Sequence, residues 1–283
     1  MFGRLADPNR GVGWSRSRFA VLPSDWLGMA IACLVLMLMH RFAALLFVAA
    51  SLLASTPARA LTHAEPISAD QEPSVATFAA PGPFGEMNPM CAGVLIASDV
   101  ILTAAHCVAR EAAGDPRATL VVILGGRRLP VREVRLHPGY RRAGLHCDLA
   151  LVRLREPVAI APVALDRGPP GLFDRLRLLR IVGFGPDGDD DEAVRIERRG
   201  LVWPTASSLA EIRLATGPSH PCAGDSGAPL LLRDAAGDRV VAVISRGTSG
   251  CRTATAIRVA AYLDDFLLPT LDRWRHERPR SGA

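Results

Sequence analysis

Residues 224–230 read Gly-Asp-Ser-Gly-Ala-Pro-Leu, and an apolar run, 230–232, follows. Glycine before and after Ser226 permits a tight turn. The apolar run has the length and composition of a short buried strand. A serine in such a turn is by itself an ordinary loop residue. Two segments upstream change its meaning. Residues 102–107, Leu-Thr-Ala-Ala-His-Cys, hold His106, and residues 148–154, Asp-Leu-Ala-Leu-Val-Arg-Leu, open with Asp148. Singly, the histidine reads as structural and the aspartate as a solvated strand start. Together they form a reactive set. A serine hydroxyl is a weak nucleophile near neutral pH and needs a base. Imidazole can take and return that proton. A carboxylate fixes the imidazole tautomer and steadies the cation that forms.

Outward from these segments, short apolar runs recur at 94–96, 100–102, 120–124, 149–154, 178–182, 230–232 and 240–244, divided by Gly, Pro and Asp. Runs of this length, rich in Val, Ile and Leu, read as strands of a sandwich or barrel. No helix-length amphipathic pattern is expected before 259–274, where Tyr262, Leu263, Phe266 and Leu267 recur at helical spacing until Pro269 breaks the pattern. Residues 167–171 read as a linker between two halves. The acidic run 186–193 has no completed calcium-loop pattern and reads as a solvated loop.

The 283-residue chain is 49% hydrophobic and 22% charged, which excludes disordered and collagen-like classes. Its formal charge of +5 is unevenly placed: residues 1–60 hold six Arg against two Asp, and residues 61–283 hold 27 Arg against 26 acidic residues. No basic funnel for a polyanion follows, so nucleic acid is not an expected partner.

The excess lies in a targeting segment. Residues 27–39 and 42–54 are apolar runs of 13 residues each, short against the roughly 20 that a membrane span needs. His40 and Arg41, the second run and Ala58-Arg59-Ala60 have the grammar of a secretory signal cleaved after Ala60, with translation starting at Met39. Residues 1–38 then read as an over-long gene start. A retained N-terminal membrane anchor is the alternative. The expected destination is the periplasm or the exterior, without stable membrane association after cleavage. Of six cysteines, Cys33 falls in this segment, and five remain at 91, 107, 147, 222 and 251. An oxidising compartment favours disulfides, with at least one cysteine left over.

The chain order His106, Asp148, Ser226, with the motifs around them, resembles the chymotrypsin/trypsin-like serine peptidase family. Further segments carry the likeness: 91–107 (CAGVLIASDVILTAAHC), 136–140 (LHPGY), 182–185 (VGFG) and 244–251 (ISRGTSGC). The resemblance covers most of residues 61–268. It implies an all-β fold of two six-stranded Greek-key β-barrels packed face to face, with a C-terminal α-helix. The corresponding parts are a 1–60 extension and signal, a first barrel at 61–167, a second at 168–258, and a helix and tail at 259–283. It implies His106, Asp148 and Ser226 as the catalytic triad, the N–H groups of Gly224 and Ser226 as an oxyanion hole, and bridges Cys91–Cys107 and Cys222–Cys251. Cys147 has no evident partner and is expected to be a buried small hydrophobe, with an intermolecular or reactive role as the alternative.

The family's activation pair joins a new N-terminus to the aspartate before the nucleophile, here Asp225. No Ile-Val-Gly-Gly occurs, and Leu61, next to the signal cleavage site, stands at the matching place. By family position the primary pocket involves His220, Arg246 and Gly247. His220 stands where an aspartate would select Arg or Lys, so trypsin-like selectivity is not expected. Arg246 replaces an aromatic residue. The favoured reading is that His220 is a satisfied polar residue and Arg246 points to solvent; the alternative is that these two groups select acidic or polar acyl-side residues. The expected function is an exported endopeptidase acting on protein or peptide substrates, without cofactor or metal. A catalytically silent binding protein and a membrane-anchored peptidase are the alternatives.

Overall fold

A computed structural model describes residues 34, 35, 37–39, 41, 64–84, 86–114, 120–168, 178–184, 198–215, 221–248 and 251–277. The chain divides into two compact units, Met1–Pro57 and Ala58–Ala283. In the first unit the described residues are helical. Among the described residues no helix is long and apolar enough to cross a membrane.

The second unit runs β1 (Glu65–Pro66), β2 (Val75–Pro81), β3 (Met87–Ala97), β4 (Val100–Thr103), α1 (Ala105–Ala112), β5 (Val121–Leu124), β6 (Arg127–Leu129), β7 (Val131–Leu136), β8 (Ala150–Leu154) and β9 (Ala164–Leu165). It continues with β10 (Leu179–Gly183), β11 (Arg198–Ser207), β12 (Glu211–Ala215), β13 (Pro229–Asp234), β14 (Gly237–Gly247), β15 (Thr253–Arg258) and, after two short irregular turns, α2 (Leu268–His276).

The strands form two sheets. The first has the order β6-β5-β2-β3-β4-β8-β7. Its seventh strand, β6, folds back on β5 through Gly125 and Gly126, whose φ values of 54° and 72° suit a tight hairpin turn that glycine adopts without strain. In the second sheet, pairing of β11 with β12 joins β10 to β15 into a closed ring of six, with β1 on β11 and β9 on β14. The fold class expected from the sequence is therefore the one observed: two barrel-like sheets and a C-terminal helix.

Strand periodicity explains how one sheet serves two cores. Neighbouring residues on a strand point to opposite faces. Leu95, Ile101 and Val152 pack inside the first sheet with Phe78, Val122 and Leu124. Their neighbours Val94, Leu102 and Leu151 join Ile181, Leu230, Val243 and Ile257 of the second sheet. Every residue of β8 is buried, as a strand covered on both faces requires. Each fully buried Val, Leu or Ile contributes about 1.5–3 kcal/mol.

Two helical readings need correction. α1 lies directly after β4, where no helix was expected; at eight residues it is too short to display an amphipathic repeat. Pro269 does not break the C-terminal helix. It sits in the first turn of α2, where a missing N–H costs nothing, after a 3₁₀ turn at Val259–Tyr262 and a π turn at Leu263–Leu267.

α2 follows the second sheet in sequence but is tied to the first. Arg153 on β8, 1% exposed, donates from Nη2 to the Trp274 carbonyl at 2.6 Å and from Nη1 to Glu277 at 2.8 Å. Its guanidinium carbon lies 5.5 Å from the Trp274 ring centroid. The Trp274 indole N–H donates to Glu133 at 3.0 Å. The buried charge is thus balanced by several acceptors, the condition for tolerating it.

Candidate active site

β4 ends at Thr103, Ala104 is extended, and α1 begins at Ala105. The first N–H groups of a helix have no acceptor within the helix. Asp148 supplies one from outside: its Oδ1 accepts the His106 backbone N–H at 2.9 Å. Its Oδ2 lies 2.8 Å from His106 Nδ1 and accepts the Ser245 hydroxyl at 2.6 Å. Asp148 is wholly buried, and three donors converge on it. An acceptor opposite Nδ1 places the imidazole proton there and leaves the Nε2 lone pair free. The antiparallel register Thr103↔Ala150 brings the two chain segments together.

Ser226 is held through its backbone. Its carbonyl accepts the Ala92 N–H at 2.7 Å. The Gly227 N–H donates to Ile244 O at 2.7 Å, and the Ile244 N–H returns a bond to Ala228 O at 2.9 Å. Gly224 and Gly227 have φ of 99° and 83°, which β-carbon-bearing residues rarely adopt. A Cβ on Gly227 would overlap the Ala92 carbonyl oxygen and the Thr103 hydroxyl. Ala92 adjoins Cys91, Cys91 is bridged to Cys107, and Cys107 adjoins His106, so one short covalent path connects the serine's anchor to the histidine. Among the described residues the N–H groups of Gly224 and Ser226 donate no hydrogen bond, whereas that of Asp225 donates to Cys222 O at 3.0 Å. No hydrogen bond joins Ser226 Oγ to the His106 ring among the described residues. Such bonds are often long before substrate binds.

A cavity of about 310 Å³ opens beside Ser226, lined by Cys222, Ala223, Arg246, Gly247, Thr248 and Ala254 among others. Gly247 pairs with Ala254 across β14 and β15, and both are small, which leaves the cavity open. The second bridge, Cys222–Cys251, has a Cα separation of 4.9 Å and closes one side; that of Cys91–Cys107 is 6.2 Å. Arg246 does not simply face solvent: it lines this cavity, and its Nη2 donates to Glu211 at 2.8 Å.

Asp225 is buried against Gly183, where a Cβ would collide with its carboxylate, and Oδ2 accepts the Cys222 N–H at 2.8 Å. His220, Leu61, His63, Gly185 and the acidic run 186–193 lie outside the described residues. His137 and His146 are not grouped with other ligands among the described residues. The one Cys/His cluster of metal-ligand geometry there, Cys91, His106 and Cys107, has both sulfurs in a disulfide.

Three residues at the site carried no sequence signal of a role. Ser245 is one polar residue in an apolar strand, and its partner Asp148 is 97 positions away. Tyr140 lies near Asp148; burial, and then the Asp148 charge, push its phenol above the ordinary tyrosine range. Cys147 is a free thiol, half-buried rather than buried, with φ of 49°. It hydrogen-bonds Tyr262, whose phenol is pushed up by burial first and by this contact second.

Comparison with known proteins agrees with the geometry. The family model described as Trypsin matches residues 63–268. The chain is 31% identical over 200 residues to coagulation factor XII of Sus scrofa, covering 57% of this chain and 32% of that protein. It is 33% identical over 174 residues to serine protease 56 of Homo sapiens, covering 50% and 27%. It is also 27% identical over 203 residues to a trypsin of Saccharopolyspora erythraea, covering 62% and 84%. The chain thus spans about a third or less of the first two relatives, and most of the bacterial one. Together with the two-sheet fold, the match across residues 63–268 means that this chain belongs to the trypsin family.

Proposed function

We propose that the protein is an exported serine endopeptidase that hydrolyses peptide bonds through an acyl-enzyme on Ser226. The observation that carries this reading is His106 Nδ1 lying 2.8 Å from the buried Asp148 carboxylate, with Ser226 on the adjoining cavity. His106 Nε2 takes the Ser226 Oγ proton while Oγ adds to the substrate carbonyl carbon. The N–H groups of Gly224 and Ser226 receive the carbonyl oxygen as it becomes an anion; one such donor is worth about 3 kcal/mol. His106 then gives its proton to the leaving amine, and the peptide C–N bond breaks. Water repeats the sequence on the ester, returning the proton to Ser226. Asp148 holds the imidazole in place throughout.

Cleavage after Ala60 would free the amino group of Leu61 for Asp225. β1 supports this, because Glu65 and Pro66 pair with β11, which pairs with β10, the strand carrying Gly183 against Asp225. Residues 61–167 and 168–258 are taken as the two barrels of the mature enzyme. Its substrates are proteins or peptides, with a preference other than trypsin's.

Fluorophosphonate labelling tests the reading. Wild-type protein is expected to label at Ser226, and Ser226→Ala is expected not to. An unlabelled wild type with an N-terminus at Leu61 would instead indicate a binding scaffold.

A further inference from the structure

We infer that Glu72, Arg180 and Arg199 are positioning residues for the reaction: with Glu65 they dock the segment that follows Leu61 onto the second sheet, and so deliver a freed N-terminus to Asp225. This inference rests on the hydrolytic reading of Ser226 and on cleavage after Ala60, and it adds what holds the arm in place.

The backbone holds this arm weakly. β1 is two residues long, exposed, and ends in Pro66, which has no N–H to donate. Ala64 and Ile67 are only partly buried against the core. Side-chain charges supply the rest. Arg199 on β11 donates from Nη2 to Glu65 at 2.9 Å and from Nη1 to Glu72 at 3.5 Å. Arg180 on β10 donates from Nη1 to Glu72 and from Nη2 to Asp238. Arg233 completes the series with two bonds of 3.0 Å to Asp238. Among the described residues, three arginines thus alternate with three acids and join the arm to β10, β11, β13 and β14. Glu72 is the pivot. It is buried, and its Oε1 accepts from both Arg180 and Arg199. A carboxylate removed from water needs partners of this kind. Its backbone carbonyl accepts the Val75 N–H at 2.9 Å, which fixes where the arm leaves β2.

The register aims the arm at the site. Pro66 pairs with Arg198, and Arg198 pairs with Gly183 on β10. A Cβ on Gly183 would overlap the Asp225 carboxylate. Two strand spacings, about 10 Å, therefore separate Pro66 from the position that abuts Asp225. The five steps from Leu61 to Pro66 span up to about 17 Å when extended, so the amino group has the reach. Glu65 pairs with Arg199 in the same register. Ion pair and backbone pairing thus select one alignment, and a slip of one residue would turn Glu65 to the other face of the sheet.

Docking by charges has a property that apolar packing lacks. Glu65 and Arg199 lie at the surface, with 65% and 32% of their side chains exposed. Such a pair is screened as the Debye length falls from about 10 Å at about 0.1 M salt to about 3 Å at about 1 M. The apolar burial that holds the two sheets is not weakened in this way. The seating of the arm, and with it the reactivity of Ser226, is therefore salt-sensitive where the fold is not.

The test uses the mature protein and reads the rate of fluorophosphonate labelling at Ser226, with the N-terminus sequenced and Tm measured on the same samples. Glu65→Gln is expected to slow labelling about 2- to 5-fold, and Arg199→Gln, which removes two pairs, about 10-fold, with Tm nearly unchanged. Raising sodium chloride from about 0.1 M to about 1 M is expected to slow wild type about 2- to 5-fold. Glu65→Cys combined with Arg199→Cys exchanges the ion pair for a covalent link, since facing Cα atoms of an antiparallel pair lie about 4.5–5.5 Å apart, within the span of a disulfide. The bridged variant is expected to regain most of the wild-type rate and to lose the salt response. Full-rate labelling by both single variants would overturn the inference. So would a salt response that the bridge leaves unchanged, or a fall in Tm large enough to account for the slower labelling. Should the bridge not form, the single variants and the salt series decide the matter alone. Wild type that labels from Leu61 while neither variant slows refutes this inference only. Wild type that labels with a different N-terminus refutes the cleavage reading, and the inference with it. Wild type that does not label refutes the hydrolytic reading itself.

Discussion

Ser245 donates its hydroxyl to Asp148 at 2.6 Å, from a strand of the second sheet to a residue at the head of a strand of the first. The bond is wholly buried and spans 97 positions of sequence. It makes the carboxylate that orients His106 depend on both sheets at once.

Ser245→Ala should therefore act through orientation. It removes one of three donors to a buried carboxylate, a loss of about 1–3 kcal/mol. A drop in kcat of about 10-fold with KM nearly unchanged is expected, because the interaction steadies the imidazolium rather than the substrate. Steady-state kinetics check this. A rise in KM alone would assign Ser245 to the pocket instead.

Gly227→Ala should be far more damaging than its size suggests. The position has φ of 83°, and the added methyl would enter the Ala92 carbonyl and the Thr103 hydroxyl. Strain of about 1–3 kcal/mol adds to an overlap that no side chain can relieve, since one partner is backbone. Loss of labelling at Ser226 together with a lower Tm is expected. Retained labelling would mean that the turn has more freedom than the structure shows.

Arg153→Met should loosen the C-terminal helix from the first sheet. It deletes the bonds to the Trp274 carbonyl and Glu277 and the contact with the buried Asp99, 3.5 Å from the guanidinium. Breaking a buried pair in this way costs about 3–5 kcal/mol. Hydrogen exchange should accelerate first in α2 and in Glu133's strand β7. Uniform acceleration throughout the second unit would contradict a local role.

Removing the Cys91–Cys107 bridge as a double alanine variant should lower stability by about 3 kcal/mol, for a loop of 16 residues. It should also reduce kcat, because the bridge connects the Ala92 anchor of Ser226 to the turn holding His106. Thermal unfolding and kinetics measured on the same sample separate the two effects. A stability loss without any change in kcat would show that the Ala92 bond alone positions the serine.

Much of the fold could be read from local chemistry. All seven apolar runs fall within or against observed strands, because alternating burial on a two-faced sheet leaves a visible mark in sequence. α1 left no such mark: eight residues contain only two buried positions, Ala105 and Val108. The misreading of Pro269 has a similar cause. Proline both ends helices and begins them, and only the preceding π turn, set by packing of Leu263, Phe266 and Leu267, decides which. Arg153 offered a faint signal, a lone charge inside an otherwise apolar strand, but nothing in its neighbourhood named Trp274 or Glu277.

The order and surroundings of His106, Asp148 and Ser226 and the short buried strands were available from the primary structure, since each is a matter of residue type and short-range pattern; the cysteine pairs and the two-barrel class came from the resemblance that those motifs carry. Which atoms meet was not legible in the sequence. The Ser245 bond to Asp148, the anchoring of Ser226 on Ala92 and the Arg246 bond to Glu211 arise only when strands far apart in the chain are brought into register. Hydrogen bonds act over about 3 Å, and no one-dimensional spacing encodes a contact of that range between residues a hundred positions apart.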